Sequence, residues 1–443
     1  MSYSKENPSE HKPDHRQQIL VCGIDLGKEE HFFEFADPEG QVIAREKLEH
    51  NFAAVRRWVG RLDEYRRQHG YRDILFAMEG TGHMWMQMAS YLQRMGFEAR
   101  LVRNAAVKSQ RKISGQHGHR SDRRAAHHIT ELALGGKVLE RQLEIEEPWV
   151  SLRCWASEYQ LLVDDATAEK QRLRDFLHMI YPAYDEFFSD PFRMTSMAVL
   201  QVIGQAHSLS EEQFIRKVRS HFPGRRLSVK KCKRLHAYIQ SEPAWGYMEA
   251  REAVEVRVKS AAERLKLLES QKSRMRRHLL DAYERSGYQH NLDSIHGTQS
   301  VHNAVALGLL GDPAQFHSSA AVVRLSGLDV GENTSGDHTG ETTITKTGRS
   351  QLRRAAICAA KLIINSRKNA AFSDKFYSLI TKKNFKKYQA YCALAAKYLR
   401  TLWYLSVHGE TYDPLIAKNG LAATPGGSSD EQSLNDVPLP EVR

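Results

Sequence analysis

Three carboxylates stand where acidic side chains could act together on a phosphate ester. Asp25 lies in the apolar run ILVCGIDL, Glu79 ends the run YRDILFAME, and Asp122 opens the helical pattern DRRAAHHITELAL. Carboxylates from three separate segments can bind a pair of Mg²⁺ ions, which activate a water or hydroxyl group and stabilise the leaving oxygen of a phosphodiester. Plainer roles stay open for two of them: Asp25 as a strand-end acid that faces water, and Asp122 as a helix N-cap.

The segments around these acids predict an α/β domain over residues 18–146. Residues 19–37 read as a hairpin, and a helix over 52–70, a strand ending at Glu79, a helix ending at Gly96 and the strand FEARLV follow. Strands that alternate with helices indicate parallel pairing, and sites in such sheets form beyond the carboxyl ends of strands, where Asp25 and Glu79 could converge. The basic segment KSQRKISGQHGHR (108–120) is expected to be a loop that is mobile or ordered by substrate.

Two heptad patterns predict long coiled-coil helices over residues 147–188 and 247–288. The first has apolar residues at alternating steps of three and four with a polar break at Glu169, and the second repeats this register with a break at Lys272. An antiparallel hairpin within one chain and a dimerisation stalk both satisfy the pattern.

The stretch between the heptad patterns, residues 189–246, contains several prolines and is basic in its second half. Basic residues mixed with aromatic ones suit a nucleic-acid surface, although a charge run is more often a solvated face. The candidates for nucleic-acid binding in this insertion are Arg225, Arg226, Lys230 and Lys231.

A C-terminal unit is predicted over residues 289–416. The turn SIHGTQ leads into a helix of small residues, and the Gly/Thr/Ser-rich loop VVRLSGLDVGENTSGDHTGETTITKTGRS precedes a basic helix, QLRRAAICAAKLIINSRK. A packing helix, KYQAYCALAAKYLRTLWYLSVHG, closes the domain. The two ends of the chain, residues 1–17 and 417–443, have the composition of disordered tails.

The composition of the chain limits which partners it can bind and in which compartment of the cell it can work. The chain has 443 residues and a formal net charge of +11, which favours a polyanion as the partner. No apolar run is long enough to cross a membrane, and residues 1–18 lack the apolar core of a signal peptide. The five cysteines are scattered, without pairs at metal-ligand or redox spacing, which indicates reduced thiols. We therefore expect a cytoplasmic protein without a membrane partner.

The motifs occur in the order found in a known family. GIDLGK, MEGTGHMW and HRSDRRAAHHITELAL resemble the N-terminal RuvC-like domain of the DEDD transposases, an insertion-sequence family related to the Piv/MooV DNA invertases. SIHGTQ and RLSGLDVGENTSGDHTGETTITKTGRSQLRRAAICAA resemble the C-terminal domain of that family. The resemblance covers residues 19–145 and 290–365. It implies a RuvC/RNase H-like α/β domain, central coiled-coil helices and a mostly α-helical C-terminal transposase domain.

By this resemblance, Asp25, Glu79 and Asp122 take the first three acidic positions of a metal-binding tetrad, and Ser335 takes the place of the nucleophilic serine. Members of the family excise and insert DNA through a covalent phosphoserine link. Several are guided by a structured RNA, and they assemble as dimers or tetramers. The resemblance implies a bacterial, nucleoid-associated recombinase with Mg²⁺ as cofactor and with DNA and a guide RNA as partners. On the sequence alone, Ser335 would read as an ordinary loop hydroxyl.

Basic residues downstream of the serine could neutralise a bound phosphate, because guanidinium groups present fork-shaped donors. These candidates are Lys346, Arg349, Arg353 and Arg354. One departure from the family pattern affects the acidic site: Ala125 stands at the fourth acidic position, one helical turn after Asp122. His296 and Gln299 are milder departures within the SIHGTQ turn.

Two other functions stay open. The absence of an acid at Ala125 fits a relative that binds RNA and DNA but does not cleave. The segments GIDLG and GLDVG also resemble the phosphate turns of the sugar kinase and actin-like group, in which backbone amides hold phosphate. No adenosine motif follows these turns, and a net charge of +11 is unusual for a small-molecule kinase.

Overall fold

The computed structural model describes residues 19–80, 84–113, 122–138, 146–188, 190–221, 228–241, 250–331, 334–335, 338–339 and 343–414. The disordered ends predicted at 1–17 and 417–443 lie outside the described residues, as do Arg225 and Arg226. The chain divides into two compact units, one ending at Glu146 and the other beginning at Glu147. Each unit is described by itself.

The N-terminal unit contains a five-stranded mixed sheet with the strand order β3-β2-β1-β4-β5. Its strands are β1 (Ile19–Leu26), β2 (Glu30–Ala36), β3 (Val42–Glu49), β4 (Asp73–Glu79) and β5 (Glu98–Val102). The predicted hairpin is confirmed, because β1 and β2 pair antiparallel. The predicted parallel pairing is confirmed for β1 with β4 and for β4 with β5. The sequence did not predict β3, a sheet-edge strand whose charged side chains give no apolar run.

Four helices accompany this sheet: α1 (Phe52–Gln68), α2 (Met84–Arg94), α3 (Asn104–Ile113) and α4 (Asp122–Leu134). Helices α1 and α2 share a core with Leu20, Cys22 and Ile24 of β1. A smaller core on the other face joins Val21 and Ala77 to Ile129 of α4. The sheet is therefore covered on both faces, as expected for an α/β layer.

The loop expected at 108–120 is wrong in its first part, because α3 continues to Ile113. Val107 is fully buried in the core that contains Ile129, and Gln110 Nε2 donates to Glu131 Oε2 at 3.1 Å. These contacts anchor a segment whose basic composition had suggested irregular structure. Residues 114–121 of the same segment lie outside the described residues.

Gly23 brings β1 and α4 into direct backbone contact. A Cβ atom at this position would lie 2.6 Å from the Ala126 carbonyl oxygen and 2.6 Å from the Thr130 backbone nitrogen. Thr130 Oγ1 donates to the Ala126 carbonyl at 3.0 Å and to the Glu34 carbonyl of β2 at 3.3 Å. The missing side chain therefore sets how closely α4 approaches the centre of the sheet.

The first half of the C-terminal unit is a helical hairpin with smaller helices between its arms. Its elements are α5 (Trp149–Ile180), α6 (Tyr184–Phe187), α7 (Met194–Leu200), a 3₁₀ helix (Ile203–Ser208), α8 (Glu211–His221), α9 (Val229–Ser241) and α10 (Arg251–Arg285). Trp155 stacks on His278 with ring centroids 5.0 Å apart, and Tyr181 Oη donates to Glu255 Oε1 at 2.7 Å. The two heptad segments thus pack antiparallel within one chain, and a dimerisation stalk stays a prediction.

The polar break at Glu169 is a buried ion-pair centre between the two long helices. Its side chain is 3 % exposed, and Arg264 Nη2 lies 2.7 Å from Oε1 while Arg172 Nη1 lies 2.9 Å from Oε2. Lys170 Nζ also reaches across the hairpin to Glu269 Oε1, at 3.0 Å. Because a buried carboxylate needs its partners in place, these pairs fix the register of α5 against α10.

The helices of the 189–246 insertion form a core together with the tip of the hairpin. Tyr181 and Tyr184 are fully buried there beside Phe214 of α8 and Leu235 of α9. Tyr184 Oη lies 2.9 Å from Ser196 Oγ of α7. Within the described residues, the basic side chains in the second half of this insertion therefore stand on helices α8 and α9.

The second half of the C-terminal unit is mostly helical. Its elements are α11 (Gln289–Asp293), α12 (Ser300–Leu310), a 3₁₀ helix (Pro313–Gln315), α13 (Ser319–Ser326), β6 (Val330–Gly331), β7 (Thr334–Ser335), β8 (His338–Thr339), β9 (Thr343–Ile344), α14 (Ser350–Ser366), α15 (Ala370–Thr381) and α16 (Lys387–His408). Gly308 of α12 packs closely on α5, where an added Cβ would lie 2.6 Å from the Leu152 carbonyl oxygen. Within the described ranges, no helix is long and apolar enough to cross a membrane.

The Gly/Thr/Ser-rich loop expected from Val322 onward is wrong at its start, because that stretch belongs to α13. Ser318 Oγ accepts from the Ala321 N–H at the beginning of this helix, and Gly327 ends it with a left-handed φ of 67°. The GLDVG segment, Gly327 to Gly331, is thus a helix C-cap followed by a short strand.

Substitution of Gly23 by alanine is expected to destabilise the chain by about 1–3 kcal/mol, because the new methyl group collides with the backbone of α4. The matched control is Gly60→Ala in α1, where an added Cβ meets nothing within 4 Å. That variant should match the wild type or gain up to about 1 kcal/mol from helix propensity. Urea unfolding followed by circular dichroism compares them, and equal stability of the two variants would contradict the packing described for α4.

A buried histidine, His31, on the opposite face of the sheet makes stability depend on pH. His31 is 2 % exposed, and its Nε2 lies 2.9 Å from His50 Nδ1. Burial, and then the neighbouring His50, lower the pKa of His31 to about 4 from its ordinary value of 6.5. The unfolded chain therefore binds more protons than the folded protein between these values, and the stabilising contribution is lost as the pH falls below 6.5.

His31→Gln should reduce the loss of unfolding free energy between pH 6.5 and pH 5 by about 1 kcal/mol per pH unit, because the group that resists protonation is gone. Urea unfolding at a series of pH values measures this slope. His69→Gln, at an exposed position, serves as the control and should keep the slope of the wild type. An unchanged slope in His31→Gln would show that other groups carry the pH dependence.

Candidate active site

Asp25 and Glu79 lie side by side at the carboxyl ends of neighbouring parallel strands. Ile24 of β1 and Met78 of β4 are Cα partners in the ladder, and the two acids are the next residue in each strand. Both side chains are half-buried. Each has a polar or electrostatic partner within the protein. The register therefore brings together two of the three acids that the sequence singles out.

Both acids project to the face of the sheet that α4 covers. Gly23 faces α4, and because side chains alternate along a strand, Asp25 lies on the same side. Glu79 shares its side with Ala77, which is fully buried in the core containing Ile129 of α4. The carboxylates therefore share the face of the sheet on which α4 packs.

Asp122 is the first residue of α4 and is exposed. The next residue of α4, Arg123, lines a cavity together with Phe32 of β2. Phe32 is in turn the Cα partner of Asp25 in the β1–β2 ladder. The start of α4 is therefore near the end of β1 that carries Asp25.

These acids suit Mg²⁺ in their chemistry but do not form a preformed metal cage. Among the residues that the structure describes, no three His, Cys, Asp or Glu side chains are close enough together to hold a metal ion. Protein-bound Mg²⁺ is commonly held by one or two carboxylates together with waters and substrate phosphates. Asp25 and Glu79 supply two carboxylates from adjacent strand ends, and Asp122 is the acid that α4 can add.

Ala125 leaves the second turn of α4 without an acid. The polar residues that follow it are engaged elsewhere: His127 Nδ1 lies 2.7 Å from Glu34 Oε1, and His128 Nδ1 lies 3.4 Å from Glu131 Oε2. Burial of the Glu131 carboxyl group acts to raise its pKa, but hydrogen bonds from Gln110 and His128, together with the charge of the two neighbouring histidines, hold this pKa below its usual value. These side chains therefore do not stand in for a carboxylate at position 125.

A buried carboxylate that sequence reasoning missed lies on the same face as Asp25. Glu34 of β2 is the Cα partner of Gly23, its side chain is 2 % exposed, and Arg45 Nε lies 2.8 Å from its Oε2. Glu34 and Arg45 line a cavity of about 260 Å³, and its other lining residues are Phe32, Phe33, Glu46, Lys47, Arg123 and Ala126. The alternation in EHFFEFA was the available signal, since it places Glu34 opposite the glycine of β1.

Ser335 lies between α13 and α14, in a segment with two short antiparallel ladders. The ladder of β7 and β8, which contains Ser335, lies within the segment that joins β6 to β9. Val330 pairs with Ile344 in β6 and β9, and Ser335 pairs with His338 in β7 and β8. The structure describes the backbone of these inner strands. The base of the ladders is tightly packed, because a Cβ added to Gly348 would lie 2.9 Å from the Gly327 backbone nitrogen.

The arginines selected near the serine make contacts within the C-terminal unit. Arg349 Nη1 donates to the Leu309 carbonyl at 2.8 Å, at the end of α12, and Arg353 Nη1 donates to the Ser326 carbonyl at 2.9 Å. Arg354 pairs with Asp164 of α5. The exposed Lys346 has a left-handed φ of 55° and accepts from Arg353 through its carbonyl. These contacts give the arginines a structural role, and phosphate binding stays a prediction for all four residues.

The candidates of the insertion are only partly described. Arg225 and Arg226 lie outside the described residues, whereas Lys230 and Lys231 stand in the first turn of α9. Lys230 is exposed, and Lys231 Nζ lies 4.4 Å from the centroid of the Phe188 ring. Their role in binding nucleic acid stays a prediction.

Two protein-family models match the chain, one in its N-terminal part and one in its C-terminal part. Residues 22–182 match the model DEDD_Tnp_IS110, described as Transposase. Residues 289–378 match the model described as Transposase IS116/IS110/IS902 family. The first match includes all three acids, and the second includes Ser335 and the ladders around it. No curated protein matches the chain.

Replacing Ala125 by aspartate should tighten Mg²⁺ binding on the order of tenfold, because a further carboxylate is added one turn after Asp122. Isothermal titration calorimetry with MgCl₂ measures the change. Ala53→Asp adds the same charge at an exposed position of α1 and is the control. Equal affinities of the two variants would show that position 125 does not face the cation.

Proposed function

We propose that this chain, which carries the IS110-family transposase domains at both ends, is a DNA recombinase that cleaves and rejoins DNA. The N-terminal unit would act as a RuvC-like nuclease domain of the Piv/MooV-related type, with Asp25, Glu79 and Asp122 as Mg²⁺ ligands. The C-terminal unit would supply Ser335 as the nucleophile. The observation that carries this proposal is the side-by-side position of Asp25 and Glu79 at the ends of two parallel strands, on the face that α4 covers.

In this proposal, the acids of the N-terminal unit bind the cation, and the serine of the C-terminal unit exchanges the phosphodiester bond. Asp25 and Glu79 would hold a divalent cation, and the exposed Asp122 would add a third carboxylate when nucleic acid is present. A bound Mg²⁺ would supply Lewis-acid stabilisation of the charge that develops on the phosphate oxygens. Ser335 Oγ forms a bond to phosphorus while a deoxyribose oxygen leaves with a proton, so the phosphodiester energy is kept in the phosphoserine link. Attack by a free hydroxyl group on that link then rejoins the DNA.

The same proposal includes two partners that the family resemblance implies. A structured guide RNA would choose the DNA, and its backbone suits a chain with a net charge of +11. A dimer or tetramer would bring two pairs of DNA strands together, so the serine of one chain could act with the acids of another. The hairpin of α5 and α10 exposes Leu161 and Leu267, which are available for such an assembly.

A second candidate function is a relative that binds RNA and DNA without cutting. Ala125 and the lack of a preformed three-ligand cluster among the described residues favour it. In that case the acids of the strand ends would still approach the nucleic acid, but they would not activate the attacking hydroxyl group. The two candidates make opposite predictions for a covalent product.

The wild type, incubated with Mg²⁺, labelled DNA that flanks its coding sequence and RNA transcribed from the adjoining non-coding stretch, should yield a covalent protein–DNA adduct on denaturing gels. Ser335→Ala should reduce the adduct by at least about 10³-fold, because the nucleophile is lost. Ser350→Ala, at an exposed serine of the same unit, is the control and should keep the adduct. An adduct that forms equally in Ser335→Ala would exclude this serine.

The variant Ala125→Asp separates the two candidate functions in the same assay. If the wild type gives no adduct while Ala125→Asp gives one, the chain is the binding relative that lost its fourth acid. If the wild type already gives the adduct, three acids are sufficient for cleavage.

A further inference from the structure

A second strongly basic stretch of the chain follows the serine region in the sequence. Residues 361–397 contain nine basic residues and a single acid, Asp374. The basic residues are Lys361, Arg367, Lys368, Lys375, Lys382, Lys383, Lys386, Lys387 and Lys397. Most of them lie beyond residue 378, where the second family match ends. Neither the acidic site nor the serine region uses this surface.

Four of these lysines lie within residues 382–387, which we call the lysine turn; Lys387 is also the first residue of α16. The turn joins α15 to α16, and all four lysine side chains are exposed. Phe385 is half-buried against the core of the unit, and its N–H donates to the Leu379 carbonyl at 3.0 Å. Because the backbone at the centre of the turn is anchored, Lys382, Lys383, Lys386 and Lys387 are displayed from a fixed loop.

The electrostatics of the lysine turn favour a bound anion. Within the described part of the chain, none of its four lysines forms an ion pair with a carboxylate. The turn also precedes the N-terminus of α16, whose first turn contains no acidic residue. A helix N-terminus carries partial positive charge, so like charges accumulate here without compensation. A polyanion would relieve this repulsion along several residues at once.

Aromatic rings accompany the charge. Tyr377 of α15 and Tyr388 of α16 are each 59 % exposed. Lys361 Nζ of α14 lies 5.6 Å from the centroid of Tyr388 and 5.7 Å from that of Tyr391. Exposed rings beside cations are the elements with which proteins hold single-stranded nucleic acid, because bases stack on the rings while phosphates meet the cations.

We propose that the lysine turn, together with Tyr377 and Tyr388, binds a nucleic-acid strand with unpaired bases. Lysines serve the phosphodiester backbone as point charges, and the two rings take the bases without sequence preference. DNA displaced from a duplex and an unpaired segment of RNA share this chemistry. The surface lies outside the cleavage chemistry proposed above, so its binding can be measured whether or not the chain cuts DNA.

The test is fluorescence anisotropy of the full chain, without Mg²⁺, against labelled 20-nucleotide DNA and RNA strands of one sequence and against duplex DNA. The variant that changes Lys382, Lys383, Lys386 and Lys387 to glutamine should bind the single strands at least about tenfold more weakly at 0.1 M salt. The slope of log K against log salt should fall by about 2–3, since each single-strand phosphate contact contributes about 0.7.

The matched control replaces Arg56, Arg57, Arg61 and Arg67 of α1 by glutamine, which removes the same charge from exposed positions of the N-terminal unit. This control should change the affinity less than twofold. A second variant, Tyr388→Leu, keeps the charge and should weaken single-strand binding about tenfold while leaving duplex binding unchanged, because paired bases do not reach the ring. It also tests the proposal if the fourfold lysine variant folds poorly.

Some outcomes of this experiment identify the bound strand as DNA or RNA, and others overturn the proposal. A loss for RNA alone assigns an RNA segment to the turn, a loss for DNA alone assigns displaced DNA, and a loss for both supports the shared backbone chemistry. Wild-type affinity in both the lysine variant and Tyr388→Leu would overturn the proposal. An equal loss of affinity in the α1 control would also overturn it, because the loss would then follow from the lower net charge of the chain and not from the lysine turn.

Discussion

The close contact between Gly23 and α4 is the constraint on which the N-terminal unit depends. Because no side chain stands between them, the Ala126 carbonyl and the Thr130 backbone rest directly on the central strand. This contact fixes the helix along the face of the sheet that carries Asp25 and Glu79, and it directs the start of α4 toward the same strand ends. The ladder of β1 and β4 sets Asp25 beside Glu79, and the backbone contact at Gly23 brings α4, which begins with Asp122, onto the same face.

In the C-terminal unit, the corresponding role belongs to charged groups inside a helical hairpin. Glu169 is held between Arg264 and Arg172, so α5 and α10 have one register. Arg354 pairs with Asp164 of α5, which ties the helix following the serine region to the hairpin. The arginines considered for phosphate binding therefore first build the platform from which the short ladders around Ser335 extend.

The sequence predicted the hairpin of β1 and β2, the parallel strands and the position of Asp25 and Glu79 at their ends, because apolar runs that alternate with helical patterns carry that information. It missed β3, whose charged residues suit a sheet edge, and α3, whose anchoring by Val107 depends on a distant partner. The alternation in EHFFEFA was a signal for Glu34 that went unused, whereas the contacts of Arg349 and Arg353 could not be predicted, since their carbonyl partners are brought to them only in the folded chain. The local sequence pattern shows which acids stand at the ends of neighbouring strands. Which side chains lie next to those acids depends on tertiary packing.

The central claim is that the acids at the strand ends form a cation site that a phosphodiester completes. Electron paramagnetic resonance of Mn²⁺, titrated into the full chain with and without the DNA that flanks its coding sequence, measures this directly. The account predicts that DNA tightens Mn²⁺ binding at least about tenfold and that Asp25→Asn abolishes the gain, because Mg²⁺-type sites share their ligands with substrate phosphates. Mn²⁺ binding that is the same with and without DNA, and the same in Asp25→Asn, would contradict it.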